Sequence, residues 1–183
     1  MSSVVYHRGT SNGEGILLGL KEARGTSKKL FPRVTPQLKE KMALILAAGL
    51  VLARQQAGLW QFLLLQANYG VYHWSPPKAD LNSGEQFLDG VYRTLNESTG
   101  FNRGDVQLFT NFQEKVTYKA FGNDKEVTYT LGKYTGTNGD NVLLHPGHQA
   151  FKWAPYNEAR ELVGYQNMKE LLDKANAELL KHP

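Results

Sequence analysis

From Met42 onward the chain alternates apolar runs with turn-forming residues. MALILAAGLVLAR (42–54) and WQFLLLQAN (60–68) are dense in Leu, Ile, Val and Phe and are separated by the turn signal QQAGL. Both are expected as buried strands. Residues 107–112, 116–120 and 126–134 supply further strands, the last two joined by a turn at FGNDK, and TGTNGDN (135–141) reads as a loop. Helical spacing occurs in three places. Residues 85–98 follow a loop turned by Pro76 and Pro77 and stop before Gly100. YNEARELV (156–163) and NMKELLDKANAELLKH (167–182) are the others, and the latter puts Met168, Leu171, Leu172, Ala175 and Leu179 on one face. Strands interleaved with helices in this order predict an α/β sandwich, a mixed β-sheet with helices on both sides. No internal repeat appears.

Charge divides the chain more sharply than hydropathy does. Of the formal net charge of +4, residues 1–41 hold eight Lys/Arg against three acids, about +5, which leaves about −1 for residues 42–183. We therefore expect a basic N-terminal arm, residues 1–41, joined to a near-neutral domain, residues 42–183. A basic arm suits an acidic surface such as RNA, an anionic membrane face or the acidic tails of tubulin, and its plain alternative is a solvated tail. The arm has no secretory apolar core. Its base excess and Ser/Thr content are those of a mitochondrial presequence, but Glu14, Glu22 and the glycines disfavour the amphipathic helix one would form. No apolar run is long enough to span a membrane, and the absence of cysteine excludes disulfides and thiolate metal sites. An intracellular protein is expected, in cytoplasm or cilium rather than mitochondrion.

The candidate chemistry lies in HWSPPKADLNSGEQFLDGVYRTLNESTGF, residues 73–101. Carboxylates three and four positions apart share a helix face and together hold hard divalent cations. With Glu85, Arg93, Leu95, Glu97 and Gly100 at its intervals, the segment resembles the Nudix box: Gly, five residues, Glu, seven residues, then Arg-Glu-apolar-x-Glu-Glu-x-Gly-apolar. Three positions depart from it. Ala79 replaces the first Gly, and Thr94 and Ser98 replace two glutamates. Together with FLLLQA, the group His73, Trp74, Pro76, Pro77 and Lys78, HQAFKW (148–153) and the pair Glu158–Ala159, the chain resembles the animal-type asymmetrical diadenosine tetraphosphate hydrolases of that superfamily.

That resemblance implies a Nudix-type α/β/α sandwich, Mg2+ on the box helix, and attack of water on a polyphosphate chain to give ATP and AMP. It places His73 and Lys78 near phosphates, Lys125 and Tyr129 on a strand lining the nucleotide site, and Tyr118 in the same pocket. Lysine offers point charge to phosphate, and a tyrosine ring offers adenine a stacking surface. The catalytic set is depleted. Besides Thr94 and Ser98, Gly147 stands where the family has an acid before the residue matching His148. Glu97 and Glu85 remain as box acids, and Glu97 is the one metal ligand left on the helix. Mg2+ is expected only if activity is retained.

Plainer roles exist for several of these residues. Trp74, Trp153 and Phe151 suit a core, Glu85 and Arg93 suit a helix-to-loop ion pair, and His145 and His148 suit a loop bonded to backbone, since Pro146 and Gly147 oppose a helix between them. Three functions follow. The first is a catalytically inactive structural or adaptor subunit, held in a larger protein or ribonucleoprotein assembly by its arm. The second is a binder of a dinucleoside polyphosphate or ATP that does not cleave it. The third is a Mg2+-dependent hydrolase that recruits Asp80, Asp89 or Glu114.

Overall fold

The computed structural model describes residues 44–182, so the expected arm and its boundary at residue 42 lie outside the described residues. The organising strand is β1 (Leu44–Gln56), in which every residue from Ala47 to Ala53 is buried. A strand covered on both faces reads as a continuous apolar run. On one side it pairs antiparallel with β2 (Leu59–Ala67), with Ala53 opposite Phe62. On its other side runs a parallel partner, the later strand Asn123–Tyr134, with Gly49 opposite Tyr129.

The short strands β3 (Trp74–Ser75) and β4 (Lys78–Asp80) pair with β2 and β1 respectively. Strand β5 (Val106–Ala120) forms a hairpin with β6, as the Asn123–Tyr134 strand is numbered. Phe121 and Gly122 make its two-residue turn, both at positive φ. Strand β7 (His148–Pro155) adds antiparallel to β2, and the path β3-β2-β1-β6-β5 completes a mixed sheet of seven strands.

Because side chains alternate across a strand, β1 feeds two cores. Ala48, Leu50 and Leu52 meet Val91 and Leu95 of helix α1 (Phe87–Thr99). Ala47, Val51 and Ala53 share the opposite core with Met168, Leu171, Leu172 and Leu179 of α3 (Gln166–Leu179) and with Ala159 and Val163 of α2 (Tyr156–Val163). The result is the expected α/β/α sandwich.

Local differences have local causes. Helix α1 begins at Phe87 rather than residue 85, because the Glu85 carboxylate accepts the backbone N–H of Asn82 and closes a turn before the helix. It ends as expected at Gly100, whose φ of 76° lets its N–H reach the Asn96 carbonyl at 2.8 Å. Residues 107–112 and 116–120 are one continuous strand: residues 113–115 pair regularly with β6, and a register irregularity between Phe109 and Gln113 leaves Thr110, Asn111 and Phe112 without an opposite partner.

The Tyr129 ring lies flat over Gly49. A Cβ there would sit 2.4 Å from Cδ1 and Cε1 of that ring. Gly49→Ala is therefore expected to destabilise the fold by about 1–3 kcal/mol through overpacking, read as a lower midpoint in urea with an unchanged slope.

Candidate functional site

A cleft of about 480 Å³ opens among the β2–β3 loop, strand β4, the β5–β6 hairpin and the start of α3. Lys78 and Lys125 supply its positive charge. The first comes from β4, opposite Gly49, and the second from β6, directly across from Tyr118 on β5. Lys78 donates to Ser75 Oγ at 2.7 Å, and Lys125 is ion-paired to the Asp80 carboxylate. Burial, with Lys125 nearby, pulls the Lys78 ammonium down to about 8, against an opposing pull from Asp80.

His73 stands at the rim. Its ring packs nearly perpendicular to those of Tyr69 and Tyr165, at centroid distances of 5.9 and 6.4 Å, and burial followed by Lys78 lowers its pKa. Tyr118 is half-buried, its phenol pushed up to about 12 by burial, then by Tyr69 and Asp80.

His73, Lys78, Tyr118 and Lys125 thus line one cleft. Tyr129 lines the same cleft from behind. Its side chain is fully buried in the apolar core between Gly49 and Met168, and burial raises its phenol well above the ordinary value. It forms the floor behind the cleft and offers no ring face for stacking. The exposed rings are instead Tyr69, Tyr165 and Phe121, which line the same cleft and which pattern reading passed over. Tyr69, four residues before His73, was the available signal. Tyr165 and Phe121 reach the site only through the fold.

The box helix is organised around one arginine. Arg93 Nε and Nη2 each reach the Glu85 carboxylate at 2.7 Å, Nη1 reaches Glu97 at 3.0 Å, and Nη2 also donates to the Asp80 carbonyl at 2.8 Å. Helix, preceding turn and β4 are thereby tied together. The hydrogen bond from Arg93, then that from the Asn82 N–H, hold the Glu85 carboxyl near 2 instead of its usual 4.5. A depressed carboxyl stabilises the fold above its unfolded value, and that contribution is lost as pH falls through the folded one. Stability is therefore expected to decline from about pH 4.5 to about pH 2, and Glu85→Gln should reduce that slope in acid titrations followed by circular dichroism.

Does this helix fit Mg2+? Thr94 and Ser98 are buried neutral hydroxyls, and Thr94 Oγ1 has no hydrogen-bond partner among the described residues. Of the acids, Glu85 and Glu97 are both committed to Arg93. Among the described residues no three His, Asp or Glu side chains gather where they could share a cation. Neutral hydroxyls are weak ligands for so hard an ion, which usually needs carboxylates and substrate phosphates. The residues on α1 do not fit a Mg2+ centre.

The alternative acids are scattered as well. Asp80 faces Lys125, Asp89 is exposed in the first turn of α1, and Glu114 pairs with Lys174 at 2.7 Å. Gly147 sits in the loop before β7, where its N–H donates to His145 Nδ1 at 3.0 Å and its carbonyl accepts from Asn68. His148 is lowered to about 4 by burial, then by Lys78, His145 and His73, and its Nδ1 has no partner among the described residues. Trp153 is core, its indole N–H bonded to the Gly139 carbonyl at 2.7 Å.

A mixed sheet between helix layers, with a strand–loop–helix segment spaced as the box and a basic, tyrosine-rich cleft beside it, defines a Nudix-type α/β/α fold. The NUDIX domain matches residues 43–175, and the chain belongs to that family. It is similar to the asymmetrical bis(5'-nucleosyl)-tetraphosphatase of Caenorhabditis elegans, 37% identical over 131 residues, covering 72% of this chain and 94% of that protein. It is similar also to the Sus scrofa enzyme of the same name, 33% identical over 116 residues, covering 63% of this chain and 78% of the other. Among solved structures, the binary complex of C. elegans Ap4A hydrolase superposes with a TM-score of 0.71 at 36% identity, covering 75% of this chain and 98% of that one. No helix among the described residues is long and apolar enough to cross a membrane.

Proposed function

We propose that this NUDIX protein binds an adenine nucleotide with a polyphosphate chain, a dinucleoside polyphosphate or ATP, and turns it over slowly or not at all. The observation that carries the reading is a division within one molecule. Lys78 and Lys125 converge with Tyr69, Tyr118 and Tyr165 on a single cleft, whereas the two acids that remain at box positions, Glu85 and Glu97, are bound to Arg93. The cleft meets the needs of recognition: charge for phosphates from the lysines, and ring faces for a base from the tyrosines. The depleted helix does not meet those of catalysis, since loss of a metal ligand or a proton-transferring acid costs orders of magnitude in rate.

Calorimetric titration with diadenosine tetraphosphate, first without Mg2+ and then with it, tests the proposal. Saturable heat and no continuing signal is the expected result. Sustained heat on adding Mg2+ would favour the second reading, hydrolysis to ATP and AMP, which the identity with the tetraphosphatases supports. A flat trace at two temperatures would overturn both.

The charge of residues 1–41 supports an additional adaptor role, docking on an acidic surface such as RNA or tubulin in the cytoplasm or a cilium. Removing residues 1–41 is expected to release the protein from the assembly that carries it. Continued co-purification of the truncated chain would count against that role.

A further inference from the structure

We infer that the cleft selects a polyphosphate in its metal-free, most highly charged form, and that the Asp80 carboxylate is the internal anion which the ligand displaces from Lys125. This inference rests on the nucleotide-binding reading above and concerns which ionic form of the nucleotide is taken.

Three observations converge on it. Lys78 and Lys125 face one cleft, so the cationic partners of the phosphate chain come from the protein itself. An anion already stands there. The Lys125 side chain, which lines the cleft, is 16% exposed and paired to Asp80, whose own side chain is 56% exposed. Finally, the carboxylates that would complete the coordination of a nucleotide-bound cation are missing or committed: Thr94 and Ser98 are neutral, and Glu85 and Glu97 are held by Arg93.

The consequence is electrostatic. Mg2+ chelated along a phosphate chain cancels two of its negative charges and keeps most of its water unless carboxylates replace it. Such a complex offers less charge to the two ammonium groups and brings a cation close to them. Among the described residues no cluster of carboxylates on α1 is arranged to offset that repulsion. The metal-free chain keeps its full charge and exchanges directly with Asp80, one anionic oxygen for another on the same ammonium. Asp80 also bears on ligand length. A monophosphate that reached only Lys125 would gain little over the carboxylate it replaces, whereas a longer chain also engages Lys78.

The test is calorimetric titration of the full chain with a methylene-bridged ATP analogue, which resists cleavage, in EDTA and in excess Mg2+, for the wild type and Asp80→Asn. We expect affinity in EDTA to exceed that in Mg2+ by about tenfold. Asp80→Asn should tighten metal-free binding by roughly three- to tenfold, because a charge a few ångströms from Lys125 is removed. Equal or tighter binding in Mg2+ would overturn the inference and leave the nucleotide-binding reading standing. Unchanged or weaker metal-free binding by Asp80→Asn would overturn the role given to Asp80. No saturable binding in either buffer would overturn the inference together with the reading beneath it.

Discussion

Replacing Lys78 and Lys125 together with alanine is expected to weaken nucleotide binding by about a hundredfold or more. A hydrogen bond to a charged group contributes ~1.5–3 kcal/mol, and two such bonds to phosphate would be lost. The single variant Lys78→Met carries a sharper signature in its pH dependence. The free protein releases the Lys78 proton near pH 8, because burial and Lys125 disfavour the charged form, while a phosphate beside it favours that form. Binding then takes up a proton above pH 8. Affinity should be level below that pH and fall by up to about tenfold per unit above it, and Lys78→Met should flatten the fall. In the unliganded protein the sign for folding is the reverse. The unfolded lysine holds its proton up to about 10.5 and the folded one releases it near 8, so stability rises with pH between the two. A Lys78→Met profile that kept the wild-type break would show that another group sets it.

Restoring three acids, by Thr94→Glu, Ser98→Glu and Gly147→Glu together, is expected to raise hydrolysis of diadenosine tetraphosphate in Mg2+ by at least about a hundredfold. The same variant should lose stability in EDTA. Position 94 is fully buried and 98 nearly so, and carboxylates placed there repel one another unless a cation joins them. Mg2+ should therefore raise its melting temperature and leave the wild type unmoved. At position 147 the added Cβ meets His145 Nδ1 at 3.2 Å, so that ring must shift slightly. A triple variant that folds, responds to Mg2+ and turns over no faster than the wild type would show that these three positions do not limit the rate. Thr94→Val is a useful companion, since it removes a hydroxyl that has no hydrogen-bond partner among the described residues.

Glu85 and Arg93 show how much of the helix was legible beforehand. Their spacing placed them on a helix-to-loop ion pair, and the structure makes that pair bidentate. Glu97, four residues on along the same helix, is within reach of that guanidinium by spacing alone. What spacing did not reveal is that it also holds the Asp80 carbonyl, a partner that arrives only when β4 docks on β1. Strand β7 was missed for a related reason. HQAFKW has no strict alternation, and what defines it as a strand is its hydrogen bonding to β2.

The sequence by itself determined what depends on neighbours along the chain: the apolar runs of β1 and β2, the helical period of α3, the stop at Gly100, and the neutral residues at 94, 98 and 147. These follow from side-chain period and backbone preference, which act over a few residues. Only the tertiary structure decided which side chains face the cleft. Tyr118 and Tyr129 lie on the two strands of one hairpin and both line the cleft, but the first is half-buried while the second is fully buried over Gly49. Asp80 meets Lys125, and Tyr165 meets His73, across separations that no local pattern encodes. Burial and charge pairing at the site depend on what packs against each residue from elsewhere in the chain, and that is settled when the sheet closes between its two helix layers.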